Sequence, residues 1–320
     1  MKRKFLILLF VIVLNVVFIS CRKEIQIDFP ELEIKPVVNC LFTDKTPMTV
    51  QLSLLKHAND TLDNFVNNAE VLVFSNNQLV TKLALTSKGL YSNSQFTPEK
   101  GKIYQLTVDI PGYKLVRASG SVPDNNIKVI SIQSKSGYRY EAVTGTGEEP
   151  TVPVEDITVT LNEDEEKPDF FGFSFIQNRV DHYYNNDVLQ LIEYEDEYSF
   201  GWYFRSEDVK VISEGVNNYD VESSILLFRD VGFQSSIDKV RFYIKKEIKS
   251  KYWGRLFIFS PEAYQYVHTW IIHDYTKYYD FWEVYEALPL YSNIENGYGI
   301  FAGYTTQQYE ITPDSTQTYQ

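Results

Sequence analysis

The 320-residue sequence lacks the metal-binding motifs that are easiest to recognise. It has no His-Glu-x-x-His and no Cys-x-x-Cys motif, which excludes the common zinc signatures. Two histidines, His268 and His273, are five positions apart and would project about 140° from one another on a helix, so they cannot bind one ion together. We expect no metal site, and packing or surface roles for all four histidines: His57, His182, His268 and His273.

Motifs of the common enzyme classes are absent as well. There is no Gly-x-Ser-x-Gly elbow, no phosphate-binding loop and no kinase motif set. Gly297, Gly299 and Gly303 differ from a dinucleotide-binding loop, because they follow a predicted helix and have one residue too many between them. A tight turn that enters a last strand explains them better. We expect no catalytic residue and no cofactor. An uncharacterised hydrolase, which would use two carboxylates or a His-carboxylate pair, is the third-ranked alternative.

Basic charge is under-represented. The first 20 residues hold three of the 30 basic residues and none of the 43 acidic ones, so the remainder has 27 basic against 43 acidic residues, a net charge of −16. Such a surface repels nucleic-acid phosphates and anionic lipid headgroups, which argues against both as partners. The hydrophobic fraction of 44% is enough for a sizeable core, most simply in two domains.

Long apolar runs are also rare, and the prominent one lies at the start of the chain. Three basic residues precede the apolar segment 5–19, and Ser20 then stands directly before Cys21. This is the three-part pattern of a secretory signal, with a cysteine where bacterial lipoproteins are cleaved and lipidated. The alternatives are a retained membrane helix, for which the run is too short, and a signal with a coincidental cysteine.

The lipoprotein interpretation predicts a signal peptide over residues 1–20, a lipidated Cys21 and a tether over residues 21–32. It places the protein at a bacterial outer membrane, on its periplasmic face or at the cell surface. Cys40 then has no cysteine left to pair with, so no intramolecular disulfide is possible. Because Cys40 lies in an apolar, strand-like run, we expect a buried structural thiol.

Residues 33–123 show the alternation of a half-buried antiparallel sheet. Tyr104, Leu106 and Val108 alternate with polar residues, and similar short runs are separated by turn residues at regular spacing. The pattern predicts an immunoglobulin- or transthyretin-like sandwich. Such modules are spacers or binding platforms, so the fold alone implies no chemistry.

A boundary is predicted near Pro123, after which residues 127–312 form a second β-rich, sandwich-like domain. We expect a long exposed loop over residues 134–156 and a flexible tail over residues 313–320. One helix stands out, because Ser260 offers an N-cap and Pro261 suits the first helical position. Its apolar spacing predicts a helix over about residues 261–279.

A set of short motifs is spread along the chain and ends in the segment after that helix. The motifs lie at Cys21, Val37–Asn39, Asn68–Val71, Gly101–Val108, Val122-Pro123, Ser260–Tyr264 and Asn293–Phe301. With them the chain resembles a family of Bacteroidota lipoproteins known as domain of unknown function 4249, over nearly its whole length after the signal. The structural signature of the last motif includes Asn293, Asn296, Gly297 and Gly299. The resemblance implies proximity to TonB-dependent outer-membrane receptors but no reaction and no catalytic residues.

Aromatic residues crowd two segments of the second domain. Amphipathic rings suit core edges, protein interfaces and carbohydrate-stacking platforms, so packing remains the simplest explanation of the crowding. The residues chosen as a possible ligand or partner surface are Trp202, Trp270, Tyr278 and Trp282.

The sequence therefore predicts a non-enzymatic, lipid-anchored outer-membrane protein of mainly β fold. We expect it to act as an accessory or ligand-binding subunit beside a TonB-dependent receptor. The alternative is a surface lipoprotein that binds a carbohydrate or peptide on its own.

Overall fold

Strands make up most of the part of the chain that the computed structural model describes. That part comprises residues 33–56, 63–124, 127–140, 151–162, 169–185, 188–197, 204–216, 225–233, 237–245, 252–276 and 289–319. Two units are distinguished, and the smaller one, residues 1–34 and 56–60, is described only at residues 33, 34 and 56. The account below concerns the larger unit, residues 35–55 and 61–320.

Seven short strands lie in the described part of the first predicted domain. Buried and exposed residues alternate along them, most clearly in the sixth strand, where Tyr104, Leu106 and Val108 are buried between exposed or half-buried neighbours. This alternation confirms the predicted mainly β fold. The strands are β1 (Pro36–Thr43), β2 (Thr49–Leu54), β3 (Glu70–Ser75), β4 (Gln78–Ser87), β5 (Leu90–Ser92), β6 (Ile103–Asp109) and β7 (Val116–Ser121).

The rest of the described chain contributes ten strands and two helices, the longer of them near the C-terminal end. The elements are β8 (Lys128–Tyr140), β9 (Thr151–Asn162), β10 (Phe170–Asn185), β11 (Val188–Glu197), β12 (Phe204–Arg205), α1 (Val209–Ile212), β13 (Leu226–Arg229), β14 (Ile237–Lys245), β15 (Tyr252–Phe259), α2 (Pro261–Thr276), β16 (Tyr298–Ile311) and β17 (Thr316–Thr318).

One large sheet contains strands from both predicted domains. Its order is β11-β10-β15-β16-β1-β2-β5-β4-β3-β6-β7, with β13 also paired to β10. The link is a parallel pair in which β1 lies beside β16, from Val37 opposite Tyr298 to Thr43 opposite Tyr304. A second sheet has the order β12-β14-β9-β8-β17. Strands from both sides of residue 123 belong to this one sheet, so the sheet does not end at the proposed boundary. The division into two domains at that residue remains a prediction.

Apolar residues are buried in three clusters. The first lies between the strands of the first predicted domain and includes Val38, Leu52 and Leu106. The second lies between the two sheets and is rich in phenylalanine, including Phe173 and Phe242. In the third, α2 covers the other face of β15 and β16. The second half of the structure thus has three layers: sheet, sheet and helix.

Helix α2 begins at Pro261, the residue from which the sequence predicts it to begin. The Ser260 hydroxyl accepts a hydrogen bond from the backbone N–H of Ala263 at 3.2 Å, which is the predicted N-cap. The described helix reaches Thr276, and the predicted last turn lies outside the described residues. Within the described ranges, the structure has no helix with both the length and the apolar character needed to span a membrane.

Two segments differ from the sequence prediction. Most of the predicted loop 134–156 forms a β-hairpin, because β8 continues to Tyr140 and β9 starts at Thr151. The predicted flexible tail contains β17, which pairs with β8. Asp314 fixes this end of the chain by accepting hydrogen bonds from the backbone N–H and the hydroxyl of Ser136, both at 2.7 Å. Both segments are rich in polar residues and lack a sustained alternation of apolar side chains, so hydrophobicity alone did not predict these strands.

Candidate functional site

The structure describes only part of the predicted surface and anchor. Cys21, Trp202, Tyr278 and Trp282 lie outside the described residues. Trp270 lies on α2 with 46% of its surface exposed, so its ring is available to solvent. The role predicted for these five residues stays a prediction.

Cys40 is buried on β1, with 2% of its surface exposed. Burial raises the pKa of its thiol far above the ordinary value. Nucleophilic cysteines need the opposite environment, an exposed thiol with a lowered pKa. Cys40 is therefore a packing residue, as its place in an apolar run indicates.

The signature residue Asn293 joins two strands that do not pair directly. Its side-chain amide donates to the backbone oxygens of Ser119 on β7, at 2.9 Å, and of Phe301 on β16, at 2.8 Å. Its side-chain oxygen accepts from the backbone N–H of Phe301 at 2.9 Å. One side chain thus satisfies three backbone groups at the gap between β7 and β16, which we call the seam.

Glu295 and Asn296 extend the seam by pairing with the other side of the gap. Glu295 forms an antiparallel bridge with Arg117. Asn296 has a left-handed backbone, with φ of +62°, and its amide donates to the oxygen of Leu115 at 2.9 Å. Asparagine tolerates this conformation better than most residues do, which explains its place in the turn.

The two signature glycines allow the chain to pass close to β1. A Cβ atom at Gly297 would lie 2.7 Å from the backbone oxygen of Pro36. A Cβ atom at Gly299 would overlap the backbone oxygen of Val38. Gly299 also has a φ of +108°, which side chains strongly disfavour. The predicted tight turn is therefore present, and it leads into β16, which β17 follows. The signature asparagines shape the seam, the signature glycines shape the approach to β1, and none of the four lines a described pocket.

A pocket of about 310 Å³ lies beside the start of α2 and is the best candidate for a functional site. Four separate segments meet there: the end of α1, the end of β13, the first turns of α2 and the segment before the seam. We call it the Glu214 pocket. Its lining residues are Glu214, Arg229, Tyr264, Gln265, His268, Thr269 and Tyr291.

Glu214 lies at the base of the pocket, with 5% of its side chain exposed. One carboxylate oxygen accepts from Arg229 Nε at 2.8 Å, and the other accepts from the hydroxyl of Tyr264. Gly215 follows in a left-handed conformation, with φ of +74°, and turns the chain away after α1. A buried carboxylate needs such partners, because an unpaired charge away from water is costly.

The same contacts determine the protonation of the neighbouring groups. Burial raises the pKa of Tyr264 well above its usual range, and the nearby Glu214 carboxylate raises it further. The hydrogen bond to Glu214 raises the pKa of Arg229. Tyr264 therefore stays protonated, and its hydroxyl donates a hydrogen bond to Glu214. A tyrosine in this state is a poor nucleophile, and a carboxylate with both oxygens occupied is a poor general base.

His268 closes the wall of the pocket on the side of α2. Its Nε2 atom lies 3.1 Å from the backbone oxygen of Glu214. A carbonyl oxygen only accepts, so Nε2 must be the protonated nitrogen. The imidazole also packs against Tyr264, with ring centroids 6.2 Å apart. His268 thus connects α2 to the segment after α1, which agrees with the packing role expected for it.

Tyr291 forms the opposite wall and is fixed by the helix. Its backbone N–H donates to the hydroxyl of Thr269 at 2.9 Å. The Thr269 hydroxyl in turn bonds to the carbonyl oxygens of Gln265 and Tyr266, each at 3.0 Å. Burial raises the pKa of Tyr291, and the negative charge of Glu262 adds to this. The ring packs, partly buried, against the third cluster, and the raised pKa keeps the phenol neutral near pH 7.

A second polar cluster connects β8 and β9. Glu155 is buried and accepts from the hydroxyls of Ser134 and Ser136, both at 2.8 Å. Its contacts resemble a structural network more than a metal site. Across the described ranges, no group of three or more histidine, cysteine, aspartate or glutamate side chains is arranged to hold a metal ion.

The sequence did not identify the residues at the base of the pocket. Glu214 lies in a polar segment without a clear period, and Arg229 lies 15 positions later, at the end of an apolar run that indicates only a strand. Tyr264 and His268 were recognised only as members of the helix. A possible signal was Gly215, a turn residue directly after a glutamate, but it is too common to be specific.

Comparison with protein families gives one result that covers most of the chain. The family model described as "Domain of unknown function (DUF4249)" matches residues 22–310, and the chain belongs to this family. No significant match is found among curated proteins.

Proposed function

We propose that this DUF4249 protein is a non-enzymatic lipoprotein of the bacterial outer membrane, anchored through Cys21. It would act as an accessory or ligand-binding subunit, with a TonB-dependent receptor as its partner. The Glu214 pocket would be the place where a small ligand is held. The observation on which the proposal rests is the basic, apolar and Ser-Cys pattern of residues 2–21.

The anchor follows from the chemistry of that pattern. A cysteine released as the first residue by signal cleavage can receive acyl chains, each of which adds about 0.8 kcal/mol of membrane affinity per buried CH₂. More than one chain makes the attachment stable. The strongly acidic remainder of the protein would then stay in the aqueous phase, because it is repelled by anionic headgroups.

The pocket supports binding better than catalysis. Both carboxylate oxygens of Glu214 accept hydrogen bonds, and Tyr264 keeps its proton. Groups in that state can orient a ligand, but they have little capacity to remove a proton or attack a bond. The resemblance set out above adds the receptor, since related lipoproteins occur with TonB-dependent receptors.

Metabolic labelling with a palmitate analogue tests the anchor. We expect the wild-type protein to be labelled and membrane-bound, and Cys21→Ser to lose the label. Cys40→Ala is the matched control, because it removes the other cysteine from a buried site and should keep the label. Label on Cys21→Ser, or none on the wild type, would remove the basis of the proposal.

Affinity purification tests the partner. A C-terminally tagged protein, isolated from detergent-solubilised outer membrane, should recover a TonB-dependent receptor, and the Cys21→Ser variant should recover much less. Equal recovery from both would show that the anchor is unnecessary. Recovery of background proteins alone would contradict the accessory role.

A stand-alone binding lipoprotein is the second candidate, favoured by the exposed ring of Trp270. Binding to a glycan array without any receptor would support it. Loss of that binding in Trp270→Ala would place the ligand on the outer surface of α2 and away from the Glu214 pocket.

A further inference from the structure

We propose that the Glu214 pocket binds a neutral saccharide of one or two rings. This inference rests on the proposed binding function and adds the chemical class of the ligand and the residues that select it. Three properties of the pocket lead to it: its size, its balanced charge, and a fixed aromatic wall beside free hydrogen-bond donors.

The size limits the ligand. A volume of about 310 Å³ is at the small end of ligand pockets, which range over roughly 300–1,000 Å³. It suits a small molecule, or the end of a longer chain, and excludes a folded protein segment. The pocket is bounded by the first turns of α2 on one side and by Tyr291 on the other.

The charge favours a neutral ligand. Glu214 and Arg229 form an ion pair at 2.8 Å, so their charges largely cancel inside the pocket. An anion would meet the buried Glu214 carboxylate, and Glu262 lies close enough to Tyr291 to affect its pKa. A cation would meet the Arg229 guanidinium. A ligand with hydroxyl groups and no net charge avoids both penalties.

Hydrogen-bond donors remain for such a ligand. Arginine has five N–H donors; the one on Nε binds Glu214, and the guanidinium also interacts with the Tyr264 hydroxyl, which still leaves donors for a ligand. Because 43% of the Arg229 side chain is exposed, its Nη groups are accessible from the pocket. The side chain of Gln265 is exposed beside them. Since Glu214 already holds the guanidinium in place, binding costs less conformational entropy.

The aromatic wall complements these donors. Thr269 holds the backbone of Tyr291 at 2.9 Å, and the ring packs, partly buried, against the third cluster, so the ring is positioned before any ligand arrives. Aromatic rings offer an apolar face beside a polar group, and sugar rings offer an apolar face beside their hydroxyls. Arg229 and Gln265 would bind the hydroxyl groups, and Tyr291 would pack against the face of the ring.

Titration of the full-length lipidated protein tests the proposal. The protein is placed in lipid nanodiscs, which avoids detergents with sugar headgroups. The probes are glucose, galactose, N-acetylglucosamine, maltose and cellobiose, with glucuronate, glucosamine and a glycine-rich tripeptide as comparisons. Saturation-transfer NMR detects weak binding, and calorimetry measures affinities better than about 1 mM. We expect at least one neutral sugar to bind more tightly than the charged sugars.

Four variants locate the site. Tyr291→Ala removes the wall and should weaken binding about tenfold or more, whereas Tyr291→Phe keeps the ring and should bind normally. Gln265→Ala changes an exposed helix residue that the fold does not need, and should weaken binding several-fold. Trp270→Ala is the control on the same helix and should have no effect, because Trp270 does not line the pocket.

The possible outcomes separate this inference from the proposed function. Preference for a charged sugar or the tripeptide, with binding lost in Tyr291→Ala, overturns the saccharide assignment and leaves a binding protein. Sugar binding that Trp270→Ala abolishes, and the pocket variants do not, also overturns it. Absence of binding by all neutral sugars does the same, while failure to recover a receptor affects only the accessory role.

Discussion

The two halves of this structure stabilise their sandwiches with different side chains. The core between β1–β7 and β16 consists mainly of valine, leucine and isoleucine, and it is completed by the seam. The core between the two sheets of the second half contains five phenylalanines whose rings pack against each other. Phe173 and Phe242 are stacked there with centroids 4.8 Å apart.

This difference shows two ways of fixing the arrangement of packed sheets. In the first half, the fit depends on backbone approach and on amide hydrogen bonds at one edge. In the second half, it depends on ring shape within the core. The stability of the first core should be sensitive to an atom added where β16 passes close to β1. The stability of the second core should be sensitive to the removal of a ring.

The largest effect is expected when a side chain is added where β16 passes close to β1. Gly299→Ala places a methyl group against the backbone oxygen of Val38 at a φ that alanine disfavours, so we expect a loss of more than about 4 kcal/mol in the free energy of unfolding. Gly112→Ala is the matched control, since Gly112 also has a positive φ, +88°, but has no atom within 4 Å of the added Cβ. Denaturant titration measures both, and equal losses would contradict the importance of the approach to β1.

Removal of a ring tests the second core. Phe173→Ala should cost about 3–5 kcal/mol of unfolding free energy, because it leaves a cavity between Phe175 and Phe242. Val231→Ala, at a residue that is 77% exposed, should change stability little. A loss below about 1 kcal/mol for Phe173→Ala would show that the surrounding rings collapse into the space.

A smaller effect is expected from the seam amide. Asn293→Ala leaves three backbone groups without their partner and should cost about 2–3 kcal/mol. Asn293→Asp keeps an acceptor for the Phe301 N–H but turns a carboxylate oxygen toward the carbonyl oxygens of Ser119 and Phe301, so it should destabilise at least as much as alanine does. Hydrogen exchange should be faster at Phe301 in both variants, and unchanged exchange there would contradict the bridging role.

The smallest effect concerns the pocket, outside both cores. Tyr264→Phe removes one hydrogen bond to Glu214 and should cost about 1–2 kcal/mol near neutral pH. The pKa of Tyr264 is raised in the folded protein, so the stability it contributes is present below pH 10.0, the ordinary tyrosine value, and is lost as pH rises above it.

Denaturant titrations between pH 7 and pH 11 check this dependence. The difference in stability between wild type and Tyr264→Phe should shrink above about pH 10. Tyr138→Phe is the control, because Tyr138 is 75% exposed and should leave the profile unchanged. A constant difference across the range would mean that Tyr264 does not retain its proton on folding.

Local patterns predicted much of this fold. The alternation of Tyr104, Leu106 and Val108 identified β6, and the Ser260-Pro261 pair identified the start of α2, because both depend on neighbours in the sequence. The parallel pairing of β1 with β16 could not be found this way. No local pattern states which distant strand will lie beside Val38, so the large sheet was not foreseen.

The candidate site was harder to predict than the fold. The sequence identifies the signature residues as turn formers, but one of the three hydrogen bonds of Asn293 is made to Ser119, 174 positions earlier. Glu214 and Arg229 come from separate segments that are brought together when the chain folds. Burial and proximity give these residues their chemistry, and neither can be seen in a linear order of amino acids.

The pairing of β1 with β16 has a consequence for folding. The hydrogen bond between Asp44 and Thr305 joins residues 261 positions apart, so nearly the whole chain must be available before the two strands can pair. Until then β1 has one open edge, to which other strands can add. A copy truncated before β16 would keep that edge open, and chaperones and proteases could thereby distinguish an unfinished molecule from a complete one.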